Sequence, residues 1–299
     1  RDAPVTFVPT ADHVLAARRE LARRSLIDFA AYTLPGYEPA PHHYRIAEHL
    51  EAVERGEIER LMIFMPPRHG KSELASRRFP AWVLGRDPSH QIIASSYNSD
   101  LATDFGREVR EIVNLPEYRE VFDDVELKTD DKAANRWKTN HKGAYYAVGV
   151  GTAATGRGAK TFLIDDPFKD REEADSELRR ERVWNWYRST AYTRLAPGGR
   201  VVLINTRWHE DDLSGRLLEA MDSGADQWEI LSLPAIDDEG RALWPGWYPI
   251  DRLRAIEKTI GPRDWSALYQ QRPAPDEGTF FQRDWFQTWT KAKRPANIR

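Results

Sequence analysis

Three observations predict a three-layer α/β fold with a mostly parallel sheet flanked by helices. The run Leu61-Met62-Ile63-Phe64 is an apolar strand that feeds through Met65 into Pro66-Pro67-Arg68-His69-Gly70-Lys71-Ser72 and then into a helical pattern. The stretches Gln91 to Tyr97, Ala144 to Val148, Thr161 to Ile164 and Arg200 to Ile204 are likewise short, apolar and bounded by turn residues. Such strands suit a parallel sheet covered on both faces. Helical patterns lie between them, so the connections read as right-handed crossovers.

The elements follow in order. Val14, Leu15, Leu21, Leu26, Ile27 and Phe29 are spaced closer to a helical period than to a strand's, which predicts a helix over 13–31, and a second runs from about His43 to Arg55. A third covers 71–84. Over 99–113, Leu101, Phe105, Val109 and Ile112 form one stripe, with Ser99 as the expected N-cap. Residues 176–194 are rich in charge, with Trp184, Trp186 and Tyr187 interleaved. After about Pro234 tryptophan and proline cluster in Leu243-Trp244-Pro245-Gly246-Trp247-Tyr248-Pro249, followed by a helix-like Ile250 to Gln271. The expected division is a large α/β core over 1–235, a small subdomain over 236–275 and a linker over 276–299. The basic, proline-containing end at Lys291 to Arg299 looks like a linker cut short, and the start at Arg1 without methionine suggests an excised fragment.

Composition narrows the function. A chain of 299 residues can hold one large α/β domain with an appendage. Lysine plus arginine total 44 against 47 acids, a net charge of −3, so any nucleic-acid contact must come from a local patch. With no cysteine, disulfides and thiolate zinc sites are excluded, which fits a reducing compartment. No apolar run approaches the roughly 20 residues of a spanning helix, and no signal-peptide pattern opens the chain. The expectation is a soluble intracellular protein with no membrane partner.

The chemistry begins at the loop after the first strand. Backbone N–H groups and the start of the following helix form an anion cradle there, with Pro67, His69, Gly70, Lys71 and Ser72 as its residues. Lys71 reaches the β- and γ-phosphates and the Ser72 hydroxyl can ligate Mg²⁺. The usual signature has a glycine five positions before Gly70, where this chain has Met65. Thr161 to Asp166 delivers two carboxylates at the end of an apolar strand, where open α/β sheets bind ligands. Asp165 would hold the Mg²⁺ shell with Ser72, and Asp166 would orient the attacking water, a place more often filled by glutamate. A strand end that merely starts a turn would use the same aspartates.

Other candidates are less specific. Asn205 and Thr206 end a strand and could sense a γ-phosphate, or only cap that end. Arg68 in the loop and Arg157 in Thr155-Gly156-Arg157-Gly158 could supply charge to a phosphoryl transition state, although surface solvation is the default for a loop arginine. His209-Glu210-Asp211-Asp212 reads better as the start of a helix, with Asp211 or Asp212 as N-cap, than as a metal cluster. Arg107 and Arg110 share a helix face that could meet DNA phosphates or, beside Glu108 and Glu111, only solvent.

Taken together, Pro66 to Ser72, Thr155 to Gly158, Leu163-Ile164-Asp165-Asp166-Pro167, Asn205 to His209 and Leu268-Tyr269-Gln270-Gln271-Arg272-Pro273 resemble the ATPase domain of the large terminase subunit of tailed bacteriophages and prophages. The resemblance covers most of residues 25–285. It implies a P-loop NTPase of the additional-strand, catalytic-acid type with a small lid subdomain, using ATP and Mg²⁺. It also implies a homo-oligomeric ring at the portal of a procapsid in the host bacterial cytoplasm, driving double-stranded DNA inside. The portal protein and the small terminase subunit are the implied partners. Carried over, Lys71 and Ser72 bind phosphate and Mg²⁺, Asp165 is the magnesium carboxylate and Asp166 takes the catalytic acid's place. Arg68 matches the loop arginine, Arg157 the arginine that reaches a neighbouring subunit's site, and Asn205-Thr206 the coupling motif. The family's adenine-binding glutamine is replaced by Pro41-His42-His43-Tyr44, which makes His43 the candidate contact. A nuclease domain normally follows, so this chain is expected to hydrolyse ATP without cutting DNA. Two further readings remain: a helicase-like translocase, for which the second motor domain is missing, and a non-hydrolysing nucleotide-binding scaffold on the portal.

Overall fold

The computed structural model describes residues 10–152, 156 and 158–274. Its strands are β1 (Arg60–Phe64), β2 (Gln91–Ser96), β3 (Leu127–Ala133), β4 (Arg136–Thr139), β5 (Ala144–Gly149), β6 (Ala159–Asp165), β7 (Leu195–Asn205) and β8 (Glu229–Ser232). Its α-helices are α1 (Ala11–Arg24), α2 (Leu26–Thr33), α3 (Pro41–Arg55), α4 (Phe79–Arg86), α5 (Ser99–Asn114), α6 (Pro116–Val121), α7 (Arg171–Asp175), α8 (Glu177–Trp186), α9 (Leu213–Asp222) and α10 (Ile250–Asp264).

The strands form one sheet in the order β3-β4-β5-β2-β6-β7-β1-β8. From β5 to β8 all neighbours are parallel, and β3 and β4 extend the edge as an antiparallel hairpin. Parallel pairing places the carboxyl ends of β1, β6 and β7 on one edge. In register, Phe64 lies opposite Asn205, and Asp165 opposite Ile204. β7 separates the strand that ends in the Gly70-Lys71-Ser72 loop from the strand that ends in Asp165, so the fold is a P-loop NTPase of the additional-strand type.

Side-chain alternation builds two cores. Leu61, Ile63, Ile92, Leu163, Val202 and Ile204 face one core, while Met62, Phe64, Ile93, Phe162, Val201 and Leu203 face the other. The first is covered by helices between α1 and α6, the second by α8 and α9. Ala235, Ile236, Tyr248, Leu253 and Trp265 form a separate small cluster around α10. Among the described residues no helix is long and apolar enough to cross a membrane.

Several boundaries differ from the sequence expectation. The helix expected over 13–31 is two, because Ser25 takes extended angles and its hydroxyl accepts from the Asp28 N–H at 3.3 Å, capping α2. Helix α5 is capped by Asn98, whose side chain accepts from the Leu101 N–H at 2.8 Å, and Ser99 is its first residue. The helix after the loop opens as a π-helical turn over Glu73–Arg78 before α4 continues. The span from Ile250 to Gln271 breaks where Gly261 takes φ 81° beside Pro262.

Candidate active site

The Gly70 turn is built around a histidine cluster. Gly70 has φ 90°, and a Cβ there would lie 2.4 Å from His43 Nε2, so only glycine fits. His43 is fully buried; its Nδ1 accepts from the Ala40 N–H at 2.9 Å and its Nε2–H donates to the His69 carbonyl at 3.0 Å. His42 donates to the same carbonyl through Nε2–H at 3.0 Å. His69 in turn donates from Nδ1–H to the Pro67 carbonyl at 2.9 Å and stacks on Tyr248 with ring centroids 4.5 Å apart. Both His43 ring nitrogens thus help to hold the loop, and the residue, the candidate adenine contact, also lines the neighbouring cavity with Tyr37, Trp244, Trp247 and Tyr248.

Burial keeps these rings neutral: it pushes His43 and His69 down to about 4 and His42 down as well. His90, buried against Thr161, is also pushed down to about 4. His43, His69 and His90 are neutral in the native state but protonate near 6.5 in the unfolded chain, so the stability they carry is intact above about pH 6.5 and falls between there and about pH 4. The expected loss at pH 5 is on the order of 1–2 kcal/mol for each of these three. Urea midpoints at pH 7 and pH 5 check this, and equal midpoints would contradict it.

Lys71 is buried, and its Nζ donates to Asp166 Oδ1 at 2.8 Å and to Thr206 Oγ1 at 2.6 Å. Thr206 also donates its N–H to Asp166 Oδ1 at 2.9 Å and its hydroxyl to the Met65 carbonyl at 3.4 Å. The ends of three neighbouring strands thus meet at one ammonium. Asp166 sits at φ 45° and Arg68 at φ 60°, left-handed angles that cost non-glycine residues energy and cluster at functional sites. Gln271, at φ 59°, accepts the Arg207 N–H at 3.3 Å.

Asp165 is buried; Oδ2 accepts from the Ser76 hydroxyl at 2.5 Å, while Oδ1 has no partner among the described residues. Burial first, and then the neighbouring Asp166 carboxylate, raise its pKa well above the usual carboxylate range. A buried carboxylate oxygen without a hydrogen-bond partner, in a cavity also lined by Ser72, fits a hard cation. No group of three metal-ligating side chains occurs among the described residues, so such a cation would draw its other ligands from phosphate and water.

Pro67, Arg68, Gly70, Lys71, Ser72 and Asp166 line a cavity of about 330 Å³. Asn205 is buried, its amide oxygen accepting from the Ser214 hydroxyl of α9 at 3.1 Å. Asp212 caps α9 through the Gly215 N–H at 2.9 Å, as one of the two aspartates was expected to. It also pairs with buried Arg207 at 2.9 Å, and Arg207 lies over the Phe64 ring. Arg107 is exposed and paired with Asp104 at 2.6 Å, while Arg110 is half-buried on the same helix. Arg157 lies outside the described residues.

Sequence reasoning missed Ser76, the Arg207–Asp212 pair and the role of Gln271. It also missed Arg171, which donates to the Trp208 carbonyl at 2.5 Å and pairs with Asp264, tying α10 to the end of β7. A buried pair five residues apart looks in sequence like any surface pair, and the others bridge distant segments. The only local signal was Gln271 inside a recognised motif.

Comparison with known proteins bears on the family and the fold. Residues 62–288, more than half of the chain, match the family model described as terminase large subunit, T4likevirus-type, N-terminal. The crystal structure of the HK97 bacteriophage large terminase is similar with a TM-score of 0.55 and 13% identity over 84% of this chain. The chain spans 55% of the length of that protein. The large terminase ATPase domain of Thermus phage P74-26 is similar with a TM-score of 0.47 and 16% identity, over 80% of this chain and 100% of that domain. No curated protein matches the sequence. The chain belongs to the terminase large subunit family, matching its T4likevirus-type N-terminal region.

Proposed function

We propose that this chain is the Mg²⁺-dependent ATPase motor of a viral terminase, which hydrolyses ATP to move double-stranded DNA into a procapsid. The observation that carries the reading is the convergence of Lys71, Asp166 and Thr206 from three strand ends on one point beside the Gly70 loop. Lys71 and the loop N–H groups bind the phosphates, and a γ-phosphate competes with Asp166 for the lysine ammonium. Asp166, so released, accepts a proton from the attacking water. Ser72 and Asp165 would hold Mg²⁺, which would supply positive charge against the phosphates. Thr206 follows the change because its N–H and hydroxyl contact both Asp166 and Lys71, and Asn205 passes it to α9 through Ser214.

Arg68 supplies charge from the loop and Arg157 from a neighbouring subunit, so the active form is a ring on the portal in the host bacterial cytoplasm. The small terminase subunit and DNA complete it, with Arg107 and Arg110 as candidate DNA contacts. The residues over 236–275 act as the lid, and 276–299 lead toward a nuclease domain that cuts concatemeric DNA in the whole protein. The test is phosphate release across protein concentration, with and without double-stranded DNA. Turnover per subunit should rise severalfold with concentration for the wild type and stay flat for Arg157→Ala. Equal concentration dependence in both would refute the shared site, and DNA strand separation would favour a helicase.

A further inference from the structure

The cavity of about 330 Å³ beside the Gly70 loop is lined by two further charged side chains, Glu73 and Arg77. Its charged groups are then Arg68, Lys71 and Arg77 against Glu73 and Asp166. Lys71 is paired with Asp166, and Glu73 with Arg78 at 2.8 Å. A triphosphate adds several negative charges to this lining, so a further cation within reach is stabilising there.

Arg77 and Arg78 are neighbours in the π-helical turn over Glu73–Arg78, yet they are held differently. Arg78 is buried, and its guanidinium donates to Glu73, to the Thr33 carbonyl at 3.2 Å and to the Thr33 hydroxyl at 3.0 Å, which fixes it inside the fold. Arg77 is half-buried. Its Nε donates to Glu108 Oε2 of α5 at 2.5 Å and lies 3.8 Å from Glu73 Oε2, and its guanidinium sits over the Phe105 ring at 4.9 Å. Only that N–H is engaged: the two terminal nitrogens donate to no group among the described residues. Those nitrogens carry most of the donors of the planar fork that matches phosphate oxygens. With side-chain exposures of 26% and 39%, the pair with Glu108 is screened by water and weakly held.

Resting on the ATPase reading above, we propose that Arg77 is a further phosphate-binding residue of this cavity, held in reserve by Glu108. When the triphosphate enters, the guanidinium leaves the Glu108 carboxylate and turns its terminal N–H groups to the phosphate oxygens, and water takes its place at Glu108. Nucleotide binding thereby breaks an ionic tie between the phosphate-loop helix and α5.

Calorimetric titration with ATP and Mg²⁺ tests this on the wild type, Arg77→Gln, Glu108→Gln and the double variant. Arg77→Gln should weaken ATP by about tenfold or more, the loss of a charge-assisted contact. Glu108→Gln should tighten ATP, by at most about fivefold, because the guanidinium no longer leaves a carboxylate to reach the phosphates. In the double variant that gain should vanish, since the side chain at 108 then has no arginine to withhold. Glu108→Gln is isosteric at a partly exposed position, so this arm reads affinity even if Arg77→Gln folds poorly. Unchanged ATP affinity in Arg77→Gln, no gain in Glu108→Gln, or a gain that persists in the double variant overturns the proposal while the ATPase reading stands. Failure of the wild type to bind ATP overturns both.

Discussion

Lys71→Ala and Asp166→Asn should each abolish ATP hydrolysis, but by different routes. Lys71 is the ammonium on which the three strand ends converge, so its removal takes away a phosphate ligand as well as charge stabilisation in the transition state. The expected result is weaker nucleotide binding together with at least about 100-fold slower turnover. Asp166→Asn keeps the side-chain size and a carbonyl oxygen to accept the Thr206 N–H. It loses the negative charge that pairs with Lys71 and the ability to take a proton; a γ-phosphate replaces that charge beside the lysine, so ATP binding should survive while turnover drops by about 10²–10⁴-fold. Equilibrium binding measured beside steady-state phosphate release separates the two. Unchanged turnover in both variants would remove the catalytic assignment.

The second large effect is on stability. Arg207 and Asp212 form an ion pair at 2.9 Å, with side-chain exposures of 7% and 1%. Such a pair contributes little net stability when complete, but removing one partner leaves a buried charge uncompensated, a cost of about 3–5 kcal/mol. Asp212→Asn isolates that cost, because asparagine still caps α9 through the Gly215 N–H. Its urea midpoint should fall sharply. Arg241→Ala, which breaks a pair on the surface, should leave the midpoint essentially where it was. Equal small shifts in both would mean that water reaches the Arg207 pocket.

Much of the fold was legible because its signals are local. β1, β2, β5 and β6 each contain a short apolar run, and the motifs that follow β1 and β6 are contiguous in sequence. What escaped had weak or non-local signals. β3 carries Lys128, Thr129, Asp130 and Asp131 in a row, a pattern with no apolar alternation, because it lies at the edge of the sheet. β8 has only Ile230 and Leu231 as its apolar residues, and its partner β1 supplies the rest of the stabilisation. The break at Ser25 was hidden because apolar residues continue on both sides of it.

The candidate site divides the same way. Lys71, Asp165 and Asp166 stand out by motif and Thr206 by its place at a strand end, and the structure brings Lys71, Asp166 and Thr206 together. The buried histidines were visible as residues but not as a scaffold: that His42 and His43 meet the carbonyl of His69 follows only from how α3 packs beneath the loop. In sequence His43 reads as a base contact; in three dimensions its two ring nitrogens meet the Ala40 N–H and the His69 carbonyl.

The central claim is that Asp166 turns a nucleotide-binding fold into an ATPase. Single-turnover phosphate release from ATP-loaded protein, started by adding Mg²⁺ with double-stranded DNA, tests it most directly. The account predicts release by the wild type and retention of intact ATP by Asp166→Asn. Tight retention of intact ATP by the wild type itself would contradict it and make the chain a nucleotide-binding scaffold.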